Sequence, residues 1–249
     1  MMAPVVKVCG IRTKEAALEA AQAGADLIGL IFAKSRRQIS PEQGAEIVQA
    51  IDEWYPSPRS RLPSREAFTI GAEWFERWSQ ELTVADRRPP LVVGVFSNQT
   101  VEEINDTVAR ASLDLVQLHG SEPLEEADRI CVPVIRAIHV GERDTAASVQ
   151  AQIIPGHYAF VLLDSKVTGA SQQGGSGVPF DWTIAHSLRE TVPFLVAGGL
   201  TPENVGEVVQ TVGPWGVDVS SGVETDGVKD LVKVRDFVER GKAARFQQH

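Results

Sequence analysis

Cysteine is scarce. Only Cys9 and Cys131 occur in 249 residues, too few for a disulfide framework and wrongly spaced for a cysteine metal site. No apolar run approaches the roughly 18 residues of a membrane helix, so no membrane is expected as a partner. A charged-then-apolar leader is also missing: Met1-Met2-Ala3-Pro4 runs straight into a strand-like segment. The expected location is therefore the cytoplasm. Basic residues are in deficit, 24 Lys and Arg against 33 Asp and Glu, for a formal charge of −9. Nucleic acid needs a basic footprint and is excluded as the main partner. A phosphorylated small molecule is not, because backbone N–H groups can hold its phosphate.

What is present is a steady alternation of strand-like and helix-like patterns, the mark of a parallel sheet. Strands are expected near 5–9, 26–32, 91–96, 114–118, 133–138, 159–164, 193–197 and 216–219. Helical segments fall near 14–24, 41–53, 100–111, 121–130, 142–152, 180–190, 202–212 and 229–241. This is the count of a (β/α)8 barrel, for which about 250 residues is typical. A doubly wound open sheet usually has only about five or six strands. Ser40-Pro41-Glu42 and Thr201-Pro202-Glu203 each place a capping hydroxyl before a proline at the first helical position. Gly24 is placed to end the first helix in a left-handed conformation. In strand five, Val134, Arg136 and Ile138 share a face, with Val140 beginning the loop.

Residues 53–90 break the rhythm, being long for a helix-to-strand connection, where about 2–6 residues is usual. Phe68, Trp74, Phe75 and Trp78 recur there at helical spacing. They predict a small helix packed on the barrel, inserted between helix two and strand three, at the face that serves stability. The chain is accordingly expected to be one barrel over 1–249, with 53–90 as an inserted segment.

Side chains at the C-terminal ends of barrel strands converge on the mouth where catalysis sits. Cys9 closes Val5-Val6-Lys7-Val8-Cys9, and Asp164 closes Ala159-Phe160-Val161-Leu162-Leu163-Asp164. Together they offer a base and an acid for moving a proton. Lys7 lies on the same strand face, one layer beneath Cys9, and its ammonium is expected to favour the thiolate. The plainer readings are a buried small cysteine and a carboxylate paired with Lys7 or Arg136; Asp218 supplies a further inward carboxylate. Ala197-Gly198-Gly199-Leu200 and Asp218-Val219-Ser220-Ser221-Gly222-Val223-Glu224 follow strands seven and eight, the usual phosphate position of this fold. Gly169 to Gly177 has the composition of a lid. Ser35-Arg36-Arg37 offers guanidinium groups for a carboxylate. His119 ends strand four at the mouth, whereas His139, His157 and His186 have no comparable setting.

In combination these motifs resemble the phosphoribosylanthranilate isomerase family of tryptophan biosynthesis. The similarity runs through Lys7 to Ile11, Gly24 to Gly29, Ser35 to Pro41, Val93 to Phe96, Val116 to Gly120, Leu163-Asp164, Gly174 to Gly177, Phe180-Asp181-Trp182, Ala197 to Val205 and Gly216 to Glu224. Thr201 to Val205 and Asp226 to Asp230 look like the fungal branch. Ser176 stands where the lid often has threonine, and residues 53–90 are longer than the family's pattern. The resemblance implies an Amadori rearrangement of N-(5-phosphoribosyl)anthranilate, with Asp164 as acid and Cys9 as base. It implies that Arg37 and His119 hold the anthranilate part, and that Gly199, Ser220, Ser221 and Gly222 hold the phosphate, with Asp218 alongside. No cofactor and no metal are called for. Other tryptophan-pathway domains are the candidate protein partners. The rivals are another sugar-phosphate barrel, which would lack the Cys9 motif, and a non-catalytic phospho-sugar binder, which would need neither Cys9 nor Asp164.

Overall fold

The computed structural model describes residues 3–55, 57, 59, 61–84, 90–165 and 182–246. The strands are β1 (Val5–Cys9), β2 (Leu27–Ile31), β3 (Leu91–Phe96), β4 (Leu115–Leu118), β5 (Val134–Val140), β6 (Phe160–Ser165), β7 (Phe194–Val196) and β8 (Gly216–Val219). Each is parallel to the next, and β8 returns to β1 to close the barrel. Strands covered on both faces need continuous apolar sequence. Leu91-Val92-Val93-Gly94-Val95-Phe96 is such a run and is buried throughout.

Alternation assigns the faces. A Cβ on Gly241, in the last helix, would stand 3.1 Å from Val6 Cγ2. Val6 therefore faces outward, and Val5, Lys7 and Cys9 face the barrel interior. The register puts Cys9 level with Gly29, Lys7 with Asp218, and His139 with Asp164.

Around the barrel lie α1 (Lys14–Gln22), α2 (Pro41–Trp54), α3 (Trp74–Leu82), α4 (Val101–Ala111), α5 (Leu124–Ala127), α6 (Ala146–Gln150), α7 (Trp182–Leu188), α8 (Val205–Val212) and α9 (Leu231–Ala243). Ser40 caps α2 as expected, in a capping box closed by Gln43 with Pro41 in the first turn. Gly24 takes φ +94° just after α1.

Several local expectations need correction. Thr201 does not cap a helix starting at 202. Its hydroxyl accepts from Glu203 N–H at 3.2 Å while Asn204 Oδ1 accepts from Thr201 N–H at 2.8 Å, so a turn comes first and α8 begins at Val205. α5 is shorter than 121–130 because Glu122 turns back to accept from the Asn98 and Gly120 N–H groups. α6 is shorter than 142–152 because Thr145 caps it. Val140 belongs to β5, and Arg136 faces away from the interior, bonded to Glu122 at 3.2 Å. α9 starts at Leu231, since Asp230 accepts from the N–H groups of Val232 and Lys233. Residues 228–229, expected in that helix, form β10 (Val228–Lys229), which pairs antiparallel with β9 (Glu224–Thr225).

Of the aromatic stripe expected in residues 53–90, Trp74, Phe75 and Trp78 lie in α3 and are buried, whereas Phe68 falls outside the helix, just after a 3-10 turn at Arg65–Ala67. Trp74 Nε1 donates to the Tyr158 carbonyl at 2.7 Å. Trp78 meets Phe160 and Phe68 edge-on at 6.0 and 4.8 Å between ring centres, and Trp215 stacks on Phe160 at 5.5 Å. Tyr158 precedes β6 and Phe160 opens it, so these rings cover the N-terminal end of the barrel, opposite Cys9 and Asp164. Removing a ring from such a cluster leaves a cavity. Trp78→Ala should lower the unfolding free energy by about 3–5 kcal/mol, visible as a lower urea midpoint at unchanged slope.

Candidate active site

Cys9 reaches the mouth from the strand face that carries Lys7 one layer below it. Lys7 has no solvent exposure, and its Nζ lies 2.9 Å from Asp218 Oδ1 across the β1–β8 seam. Burial works against the ammonium charge, but Asp218 and Cys9 outweigh it, and the Lys7 pKa is raised. For Cys9 the balance differs from the sequence expectation. Burial pushes the thiol up, and the Lys7 and Lys229 charges only partly offset this. Room for the thiol comes from β2, where a Cβ on Gly29 would stand 2.7 Å from Cys9 Sγ. Only glycine fits there.

Asp164 is 4% exposed, at the end of β6. Its Oδ1 accepts from Ser165 N–H at 2.8 Å, and its Oδ2 lies 3.3 Å from His119 Nε2. Neither Lys7 nor Arg136 is its partner: Lys7 serves Asp218 and Arg136 serves Glu122. Behind His119, Gln117 Nε2 lies 2.8 Å from Nδ1. In this arrangement the Nδ1 lone pair accepts, and the ring proton sits on Nε2, facing Asp164. Gln117 Oε1 is buried and has no hydrogen-bond partner among the described residues.

His139, which the sequence reading set aside, belongs to this group. It lies level with Asp164, its ring crosses that of His119 at 82° and 4.8 Å, and its Nε2 is 3.0 Å from the His119 carbonyl. Burial, and then the neighbouring His119, hold its pKa below the ordinary value. Ligand-type atoms of His119, His139 and Asp164 all lie within 4.8 Å of one another. The sequence spacing had suggested no metal site, because three strands supply the three residues. Extending the alternation of β5 by one step, 135-137-139, would have found His139.

Arg37 is anchored by a carboxylate of the protein itself. Its Nε and Nη2 donate to the two oxygens of Glu224 at 2.6 and 2.9 Å, and Nη1 takes part in neither bond. Glu224 also receives Arg36 at 3.1 Å and Lys229 at 3.1 Å. Burial opposes the Glu224 charge, but the Arg37 hydrogen bonds and the Lys229 charge bring the carboxyl down to about 2. Glu224 and Lys229 are register partners in the β9–β10 hairpin. Asp226 and Gly227 form its turn with φ 53° and 78°, the conformation for which Asp-Gly is the strongest short signal. That dipeptide was the available clue to both residues.

The loops after β7 and β8 lie together. A Cβ on Gly222 would come within 1.9 Å of the Leu200 carbonyl, so the two loops can touch only at glycine. Residues Ser221–Val223 form a single 3-10 turn after β8. Lys229 Nζ donates to the Ser220 carbonyl at 2.7 Å, and Asn204 Nδ2 to the Gly199 carbonyl at 2.9 Å. The Ser220 hydroxyl is buried with no partner among the described residues.

A cavity of about 490 Å3 gathers the candidates. Cys9, Asp164, Arg37, His119 and Asp218 line it, and so do Gly199, Ser220, Ser221 and Gly222. A larger cavity of about 960 Å3 lies at the N-terminal end beside the inserted segment. Among its charged groups, Arg59 pairs with Asp52 and Asp114, and Arg65 with Asp128. The candidate lid, 169–177, lies outside the described residues.

A family model described as N-(5′-phosphoribosyl)anthranilate (PRA) isomerase matches residues 42–240. The chain belongs to the phosphoribosylanthranilate isomerase family. It is 46% identical over 97% of its length to a multifunctional tryptophan biosynthesis protein of Phycomyces blakesleeanus. It is 38% identical to N-(5′-phosphoribosyl)anthranilate isomerase of Dehalococcoides mccartyi, covering 96% of this chain and 95% of that one. The crystal structure of phosphoribosyl anthranilate isomerase from Thermotoga maritima superposes with a TM-score of 0.70 at 33% identity, covering 97% and 99% of the two chains. A phosphoribosyl anthranilate isomerase in complex with reduced 1-(o-carboxyphenylamino)-1-deoxyribulose 5-phosphate matches at 0.66 and 29%, over 97% and 99%. The chain spans 33% of the Phycomyces protein and 48% of a tryptophan biosynthesis protein of Phytophthora nicotianae.

The depressed Glu224 pKa carries a pH signature. A carboxylate held below its ordinary 4.5 stabilises the fold above that value, and the stability is lost as pH falls toward about 2. Glu224→Gln should flatten that part of the curve of urea midpoint against pH, relative to the parent chain.

Proposed function

We propose that this chain isomerises N-(5-phosphoribosyl)anthranilate to 1-(2-carboxyphenylamino)-1-deoxyribulose 5-phosphate by acid–base catalysis. The observation that carries this reading is the meeting, in one cavity, of a thiol from β1, a carboxyl from β6 and two glycine-bearing loops after β7 and β8. Family membership supports the same substrate class.

Asp164 protonates the ribose ring oxygen, and the ring opens to an iminium at C1. The carboxylate left behind, with His119 Nε2 standing 3.3 Å from its Oδ2, takes up through solvent the proton that the Cys9 thiol gives up, so Asp164 is again the acid when the cycle ends. Cys9 then removes the proton on C2, giving an enolamine that tautomerises to the ketone. Burial keeps the thiol protonated in the empty site, so the base must be generated with substrate in place. The iminium supplies a positive charge beside Sγ and acidifies C2–H, and Lys7 adds its charge from below; both favour the thiolate.

The phosphate takes the loops after β7 and β8. There the backbone N–H groups around Gly199, Ser221 and Gly222 and the hydroxyl of Ser220 supply donors. The anthranilate carboxylate meets Arg37 and His119. Since the Nε–Nη2 edge of Arg37 is held by Glu224, the substrate is left Nη1 and the guanidinium face. Asp218 acts through Lys7, as a positioning residue. None of these steps requires a metal or redox cofactor. Two cysteines that form no disulfide suit a reducing cytoplasm. Relatives include both a stand-alone isomerase and longer multifunctional proteins, which supports other tryptophan-pathway domains as partners.

The direct test is the fluorescence of chemically generated phosphoribosylanthranilate, which should fall faster with the protein than without it. Unchanged decay would refute the activity.

Cys9→Ser should reduce turnover by about 10²-fold or more while the Michaelis constant stays within several-fold, because an alkoxide is inaccessible near neutral pH. Near-normal turnover would remove Cys9 as the base.

Asp164→Asn should also abolish turnover, since an amide delivers no proton to the ring oxygen. If Asp164 were only structural, the melting temperature would fall while substantial activity remained.

A further inference from the structure

The reaction as proposed uses Asp164 and His119 but gives His139 nothing to do. Yet His139 stands level with Asp164 on the neighbouring strand, half-buried, with its ring held against His119. We propose that His119, His139 and Asp164 form a binding site for Zn2+ whose occupancy blocks the reaction.

The donor set suits the ion. Two imidazole nitrogens and one carboxylate oxygen, with a water completing a tetrahedron, are ordinary zinc chemistry. Bonds of about 2.0–2.2 Å span tetrahedral edges of roughly 3.3–3.6 Å. The distance from His119 Nε2 to Asp164 Oδ2 is already 3.3 Å, and a ring nitrogen of His139 lies within 4.8 Å of both ligand residues. Cys9, although it lines the same cavity, is not part of this cluster.

The surroundings suit it as well. Metal-bound histidines almost always donate their other ring N–H to a nearby acceptor. His139 Nε2 donates to the His119 carbonyl at 3.0 Å, which leaves the lone pair on Nδ1. For His119 to ligate through Nε2, its proton must move to Nδ1 and meet an acceptor there. A half-turn of the Gln117 amide provides one: it puts Oε1, buried and without a partner among the described residues, where Nε2 now lies 2.8 Å from Nδ1.

Occupancy and catalysis exclude each other. The ligand oxygen belongs to the acid, and a carboxylate bound to Zn2+ carries no proton for the ring oxygen. The ion is therefore an inhibitor competing with substrate. This last step rests on the proposed role of Asp164; the binding itself does not.

The test separates the two. EDTA-treated protein, without substrate, is titrated with Co2+ as a spectroscopic stand-in and then with Zn2+ in competition. Saturable binding of one ion is expected, with the visible absorption of four-coordinate cobalt and no thiolate-to-cobalt charge-transfer band. His139→Val should weaken binding by about tenfold or more. In the activity assay Zn2+ should raise the Michaelis constant, EDTA should reverse this, and the variant should need correspondingly more metal. A charge-transfer band would move the site to Cys9 and overturn the proposal. So would an unchanged affinity in His139→Val, or no binding at millimolar metal. Should His139→Val fail to fold, His119→Asn decides by the same reading: undiminished cobalt affinity overturns the site, and its loss supports it.

Discussion

Lys7 and Asp218 lie 211 residues apart in sequence and 2.9 Å apart in the barrel, and the rest of the structure depends on their contact. An ammonium with no solvent exposure costs several kcal/mol unless a partner meets it. The partner is on β8, the strand that must find β1 for the barrel to close. Because Lys7 and Asp218 are register partners, a slip of one residue would turn Asp218 outward and strand the charge. The same pair lies directly beneath Cys9. The device that sets the closing register therefore also supplies the positive potential under the thiol.

Charge at the mouth is organised in two groups that do not share partners. On one side Gln117, His119 and Asp164 follow one another in polar contact, with His139 against His119. On the other, Glu224 gathers Arg36, Arg37 and Lys229 and is held ionised by them. Placing a fixed anion beneath Arg37 makes the guanidinium rigid and removes most of its bidentate capacity. What lies outside those two bonds is Nη1. The hairpin of β9 and β10 is what makes this affordable in so short a stretch, since cross-strand pairing alone brings Lys229 opposite Glu224.

Most of the barrel was legible because its signals are local. Apolar runs such as Leu91 to Phe96 and capping residues such as Ser40 mark elements without reference to anything distant. The candidate residues at strand ends were legible for the same reason: Cys9, Asp164, His119, Gly199 and Ser220 to Gly222 all come to one cavity. What was hidden depends on partners far along the chain. Nothing near Asp164 in sequence tells that His119 faces it, or that Arg136 turns away to Glu122. The thiolate was expected from Lys7 alone, and the opposing burial of Cys9 is a property of the closed barrel. Thr201 carries every local mark of a helix cap, but the side chain of Asn204 reaches back to its N–H and fashions a turn instead.

The long separation of Lys7 from Asp218 has a consequence for biosynthesis. At about 5–20 residues per second on the ribosome, the separation of 211 residues keeps the first strand waiting for roughly 10–40 s before its counter-ion is even made. Through that interval β1 carries an unpaired lysine in the middle of an apolar segment, which favours keeping it in water over burying it in a partial barrel. The nascent chain is thus discouraged from burying its first strand in an incomplete set of strands.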